Sequence, residues 1–123
     1  MKVTDLMVRD WVYVLRGYDK HPTIEKIKGI IEDENELYPI TLFTGETVSL
    51  NDIKLIPLTE KILVKNGFVR TWNGDWQLKE YSTIIISKDY YVKVFERGIR
   101  IDYVHELQHM LRAACIEKEL VID

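Results

Sequence analysis

Residues 105–109 read H-E-L-Q-H, which satisfies the H-E-x-x-H pattern of zinc metalloproteases. In such enzymes two histidines four apart bind zinc from one helix face, because 3.6 residues per turn bring positions i and i+4 together. The glutamate beside them polarises the metal-bound water. His105 and His109 have that spacing, and Glu106 has that position.

Four features weigh against the chemistry. Catalytic zinc needs a third protein ligand about 2.2 Å or less from the metal. The stretch after His109 is MLRAACIEKE, with neither the glycine nor the histidine of the extended metzincin motif. Glu117, Glu119, Asp123 or the distant His21 would have to substitute in an unfamiliar geometry. Second, Val104, Leu107, Leu111, Ala114 and Cys115, widened by Tyr103 and Met110, form an apolar stripe that places both histidines nearly opposite the core. Third, Arg112 shares the histidine face, and a fixed cation repels a dication. Fourth, 123 residues is short for a cleft plus a scaffold. The motif therefore reads as coincidence, with no catalytic group, no metal site and no cofactor assigned. Zinc held by His105 and His109, with Glu106 as base, is kept as the alternative.

Aromatic residues are the other candidates. Trp72 and Trp76 flank Asn73-Gly74, while Trp11, Tyr81, Tyr90 and Tyr91 fall in expected strands. Cross-strand aromatic pairs commonly stabilise hairpins. The competing reading makes Trp72, Trp76, Tyr90 and Tyr91 an exposed platform for a peptide or a base. Glu25, Glu32, Glu34 and Glu36 around Asp33 read as a solvated acidic face, without the spacing of a calcium loop. No phosphate-binding glycine loop or nucleophile elbow is present.

Short strands must carry these residues. Residues 10–16 (DWVYVLR) read as a strand able to bury both faces. A loop over 17–23 leads to a strand at 24–33, with Gly29 a bulge. Strands at 38–43 and 46–50 follow, then one helical turn and a fifth strand ending at residue 57. Five short strands in under 60 residues predict a small SH3-like barrel over residues 1–57.

Residues 58–123 predict a sheet-and-helix part sharing a core with that barrel. Thr59 caps a short helix stapled by Leu58 and Leu63 and stopped by Gly67. Asn73-Gly74 between two strands predicts a hairpin. Segments 83–88 and 90–96 form a second hairpin, and a short run at 99–101 follows. Asp102 is placed to cap a helix over 103–115, with a last strand at 119–122.

Composition bounds the partners. The chain is 46% hydrophobic and 30% charged, as globular domains are. No apolar run approaches the roughly 20 residues of a membrane helix, and the N-terminus lacks the apolar region of a signal peptide. One cysteine, Cys115, fits a reducing cytoplasm and reads as a small buried hydrophobe. Residues 1–58 carry seven Lys/Arg against ten Asp/Glu, and 59–123 carry ten of each. Neither half has the basic excess that neutralising phosphates requires.

Three segments, MKVTDLMVRDWVY, DIKLIPLTEKILVKNGF and YVHELQHMLRAACIEKEL, together resemble a family of short bacterial proteins without an assigned activity, often encoded among prophage or mobile-element genes of anaerobic gut bacteria. The resemblance spans most of the chain and implies a compact two-part fold and a cytoplasmic location. It also implies that glutamine can replace Glu106, which makes a base there dispensable. The first reading is thus an α+β, non-catalytic protein-binding or accessory module that engages a protein partner or a second copy. A minimal zinc hydrolase is second, and a nucleic-acid accessory protein third.

Overall fold

The computed structural model describes residues 5–17, 21–94 and 97–122. It is mixed α+β: two antiparallel five-stranded sheets and two α-helices. The chain divides into two compact units, Met1–Ile56 and Pro57–Asp123.

In the first unit, β1 (Trp11–Val14), β2 (Thr23–Ile30), β3 (Ile40–Leu42), β4 (Thr47–Val48) and β5 (Ile53–Lys54) form a bent half-barrel ordered β4-β3-β2-β1-β5. β1 buries Val12 and Val14 fully and leaves Trp11 and Tyr13 half-buried, so one face of the strand is core and the other only partly covered. The β2–β3 register slips between Ile27 and Gly29, the bulge expected from the glycine. The inner face packs Leu6, Val12, Val14, Ile27, Ile40, Leu42, Val48 and Ile53. Arg16 ties the end of β1 to its neighbours, its Nη2 donating to Glu46 Oε1 at 2.6 Å and its Nη1 to Thr23 Oγ1 at 2.8 Å. That bond to Arg16 is the main reason the Glu46 carboxyl titrates below its ordinary value. β2 stops short of the expected residue 33 because the acidic run after it is exposed and turns, with Glu36 N donating to Asp33 O.

The second unit begins with α1 (Glu60–Lys65). Thr59 Oγ1 accepts from Ile62 N at 3.3 Å, Leu58 and Leu63 are both buried, and Gly67 takes the left-handed C′ conformation at φ 85°. A meander follows: β6 (Phe68–Arg70), β7 (Trp76–Leu78), β8 (Tyr81–Ile86), β9 (Tyr91–Val94) and β10 (Arg97–Arg100), in spatial order β10-β9-β8-β7-β6. The last helix, α2, spans Val104–Ala113.

The hairpin expected at Asn73-Gly74 joins β6 to β7, its three-residue loop closed by Thr71 N donating to Asp75 O at 2.8 Å, with Gly74 at positive φ. The Asn73 side chain accepts from Asp75 N and from Thr71 Oγ1, stabilising the loop. The C-terminal expectation is corrected. No strand forms at 119–122. There the side chain of buried Asn66 replaces a neighbouring strand: its Nδ2 donates to Val121 O at 2.8 Å, and its Oδ1 accepts from Val121 N at 2.7 Å.

The end of α2 also differs from expectation. Cys115 is exposed rather than buried, because the helix stops at Ala113 and the apolar periodicity ends with it. Cys115 sits at φ 59° in the C′ position, its N–H bonding Arg112 O at 2.9 Å, while Ile116 N bonds Leu111 O at 2.9 Å. This is a Schellman motif built without glycine.

Candidate functional site

The H-E-L-Q-H segment forms the first turns of α2. Asp102 does not cap this helix with its side chain; that carboxylate binds Arg100 Nε at 2.6 Å. Capping falls to Glu106, whose Oε1 accepts from Asp102 N at 3.0 Å and Tyr103 N at 3.1 Å. A carboxylate at the third helical position satisfies amides that have no intrahelical partner and complements the positive helix end. The residue that the zinc alternative would use as general base is therefore engaged in holding the helix start.

His105 is not opposite the core. It is buried with Val104, Leu107, Gln108 and Leu111, because the buried arc of α2 is wide enough to reach one residue beyond Val104. The His105 and His109 rings meet edge to face at 5.3 Å between centroids, and Tyr103 stacks on His105 at 6.0 Å. Among the described residues, no group of three or more His, Cys, Asp or Glu is arranged to hold a metal ion. Asp123 lies outside the described residues.

The four aromatic candidates occupy different environments. Trp76 is 4% exposed, with the Arg70 guanidinium over its ring at 5.1 Å, and so serves the interior of its unit. Trp72 is 98% exposed at the β6–β7 tip. Tyr90 is not in a strand; it sits in the β8–β9 turn at φ 66°. These two turns are neighbours, since Lys88 N donates to Asp75 Oδ1 at 3.2 Å. Tyr91, on β9, is exposed and carries the Arg100 guanidinium over its ring at 5.5 Å. Asp102, and to a lesser degree Tyr91, raise the pKa of Arg100, which keeps that side chain cationic.

Sequence reasoning missed a concave feature beside α2. A cavity of about 390 Å³ lies between the β9–β10 hairpin and α2, lined by Val92, Ile99, Arg100, Ile101, Glu106, His109, Met110 and Ala113. Its lining is mostly apolar, and its polar groups are a guanidinium, the capping carboxylate and one imidazole. Ile99 stands 53% exposed on β10, which among the described residues has a partner strand on one side only; just past its end Leu58 N donates to Asp102 O at 2.9 Å. The available signal was slight: Met110 and Ala113 share the helix face of Glu106 and His109, away from the buried arc. Chemically, the arrangement suits burial of an apolar side chain with a few polar contacts at the rim. No family model matches the chain, and neither curated proteins nor solved structures match it.

No described helix is long and apolar enough to cross a membrane.

Proposed function

We propose that this chain is a non-catalytic protein-binding module, with its contact surface at the β10 edge and the cavity beside α2. The observation that carries the reading is the aliphatic cavity of about 390 Å³ next to a strand with an unpartnered side. The first unit is an SH3-like barrel in this reading, supported by its bent sheet of five short strands. The protein acts in the cytoplasm, which fits a chain with a single cysteine, as members of the mobile-element family it resembles would. Nucleic acid is the weaker partner, because neither half of the sequence carries a basic excess.

A photo-crosslinking residue at Ala113, with Lys61 on α1 as the control position, tests the reading in cells that make the protein. Protein adducts from position 113 and none from 61 support it. An absence of protein adducts at 113 overturns it.

The zinc-hydrolase alternative rests on the adjacency of His105 and His109. It requires Glu106 to give up two backbone amides before acting as a base. One zinc per chain, lost in the His105→Ala/His109→Ala double variant, would support it; zinc-free protein with the same fold in the variant would end it.

A further inference from the structure

We infer that Asn73 is a site of spontaneous deamidation in the folded chain, and that Asn66, which is also followed by glycine, is not. The reaction needs an asparagine, the backbone nitrogen after it, and water. Gly74 N attacks Asn73 Cγ, the Cγ–Nδ2 bond breaks, and Nδ2 leaves as ammonia with the proton that Gly74 N gives up. Water then opens the resulting succinimide at either carbonyl, leaving aspartate or isoaspartate at position 73. Glycine favours ring closure, because it has no Cβ to crowd the attack and its backbone turns freely.

Of the four asparagines, two precede glycine, Asn66-Gly67 and Asn73-Gly74, while Asn35 and Asn51 precede Glu36 and Asp52. By sequence the two glycine pairs are equivalent. Their surroundings separate them.

Asn66 is 2% exposed, and three hydrogen bonds to backbone fix its carboxamide. Nδ2 donates to Ile62 O at 2.7 Å and to Val121 O at 2.8 Å, and Oδ1 accepts from Val121 N at 2.7 Å. Swinging Cγ onto Gly67 N would break all three and leave buried polar groups without partners.

Asn73 lies in the exposed loop between β6 and β7. Its Oδ1 accepts from Thr71 Oγ1 and from Asp75 N at 3.3 Å, and its Nδ2 donates to Asp75 Oδ2 at 3.2 Å. The attacking nitrogen, Gly74 N, donates to Thr71 O at 3.0 Å while the loop is closed. Water competes for these exposed groups, so the loop opens far more often than the interior does. A Cβ built on Gly74 would meet nothing nearer than the Lys88 side chain at 3.7 Å, which leaves the tip room to move. Attack at Asn73 therefore waits on a local opening, whereas attack at Asn66 waits on release of the helix end and the tail.

The product no longer fits the closed loop. A carboxylate at position 73 has lost the Nδ2 donor and faces Asp75 Oδ2 as a like charge. Asp75 also accepts from Lys88 N at 3.2 Å, so the change reaches the tie between the two turns.

The test is peptide mapping by mass spectrometry, after the full chain has stood for weeks in mildly alkaline buffer with and without urea. In the folded protein, conversion at Asn73 should exceed that at Asn66 by about tenfold or more, the ratio set by local against near-global opening. In urea the two sites should convert alike. Thr71→Val, which removes the hydroxyl bonded to Asn73 Oδ1, should speed conversion at 73 and leave 66 unchanged. Asn73→Asp should speed amide exchange at Asp75 and Lys88. Equal conversion of both sites in the folded protein overturns the inference, as does an unreactive Asn73 in folded protein whose urea sample converts. A bias towards Asn73 that is just as large in urea traces to the neighbouring residues and overturns the structural assignment. Slower conversion in Thr71→Val overturns opening as the controlling step, and unchanged exchange in Asn73→Asp overturns the loosened loop.

Discussion

The β6–β7 and β8–β9 connections share a backbone plan and differ in the residue at its left-handed step. In the first, Thr71 N bonds Asp75 O at 2.8 Å and Gly74 N bonds Thr71 O at 3.0 Å, with Gly74 at φ 92°. In the second, Ser87 N bonds Tyr91 O and Tyr90 N bonds Ser87 O, both at 2.8 Å, with Tyr90 at φ 66°. The helix ends repeat the contrast. α1 stops on Gly67 at φ 85°, and α2 stops on Cys115 at φ 59°. Glycine adopts this conformation without a Cβ penalty, whereas other residues bear roughly 1–2 kcal/mol. Both non-glycine positions adjoin elements that line the cavity, Tyr90 directly before β9 and Cys115 just beyond α2. The hairpin and helix end built from elements outside the cavity lining use the residue the local geometry prefers. Those beside it are held in shape by the surrounding fold.

The largest expected effect comes from the helix caps themselves. Asn66 and Ala114 are the C-caps of α1 and α2, but only Asn66 is buried with side-chain bonds to Ile62 O and to both backbone groups of Val121. Asn66→Ala should destabilise the chain by about 2–4 kcal/mol, because it strands buried backbone groups. Urea denaturation measures this, and a loss under about 1 kcal/mol would mean that the tail is held by other contacts.

Moving the strain into the glycine-built half comes next. Gly74→Tyr or Gly67→Cys should each cost about 1–2 kcal/mol by the same assay. Relieving it is worth less: Cys115→Gly should stabilise by about 0.5–1 kcal/mol, since the lost strain is partly offset by a more flexible unfolded chain. A destabilised Cys115→Gly protein would show that the cysteine side chain makes contacts worth more than the strain.

The smallest effect serves as a control in the other unit. Glu46 has a depressed folded pKa, so its pairing with Arg16 stabilises the fold above the unfolded value of about 4.3 and is lost as pH falls through the folded value. Because Glu46 is partly exposed, Glu46→Gln should cost under about 1 kcal/mol at pH 7. The difference from wild type should vanish in strong acid and leave the Gly74 and Cys115 effects unchanged.

How much could be read in advance tracks the same contrast. The Thr59 cap, the Gly67 stop and the Gly29 bulge were legible because each is a local preference of a particular residue type. The turn at Tyr90 was not, because nothing about a tyrosine announces positive φ, and the second hairpin was accordingly placed with Tyr90 inside a strand. Extending α2 to residue 115 was the same error at Cys115, and it carried the apolar stripe too far. The H-E-x-x-H spacing was read correctly as a helix turn, yet the capping role of Glu106 went unseen because Asp102 was taken as the cap. Of the four aromatic candidates, Trp76 is buried while Trp72 and Tyr91 are exposed; the sequence does not separate Trp72 from Trp76, because both flank the same Asn73-Gly74 turn.

By itself the sequence determined the α+β class, the starts of both helices to within a residue or two, and the alternation that makes most strands. These follow from steric and hydrogen-bonding preferences that act over about four residues. Tertiary structure decided the burial of His105, the left-handed turns at Tyr90 and Cys115, the unpaired side of β10, and the cavity between β10 and α2. Each depends on what distant parts of the chain bring alongside, and that free energy outweighs a local preference of about 1 kcal/mol.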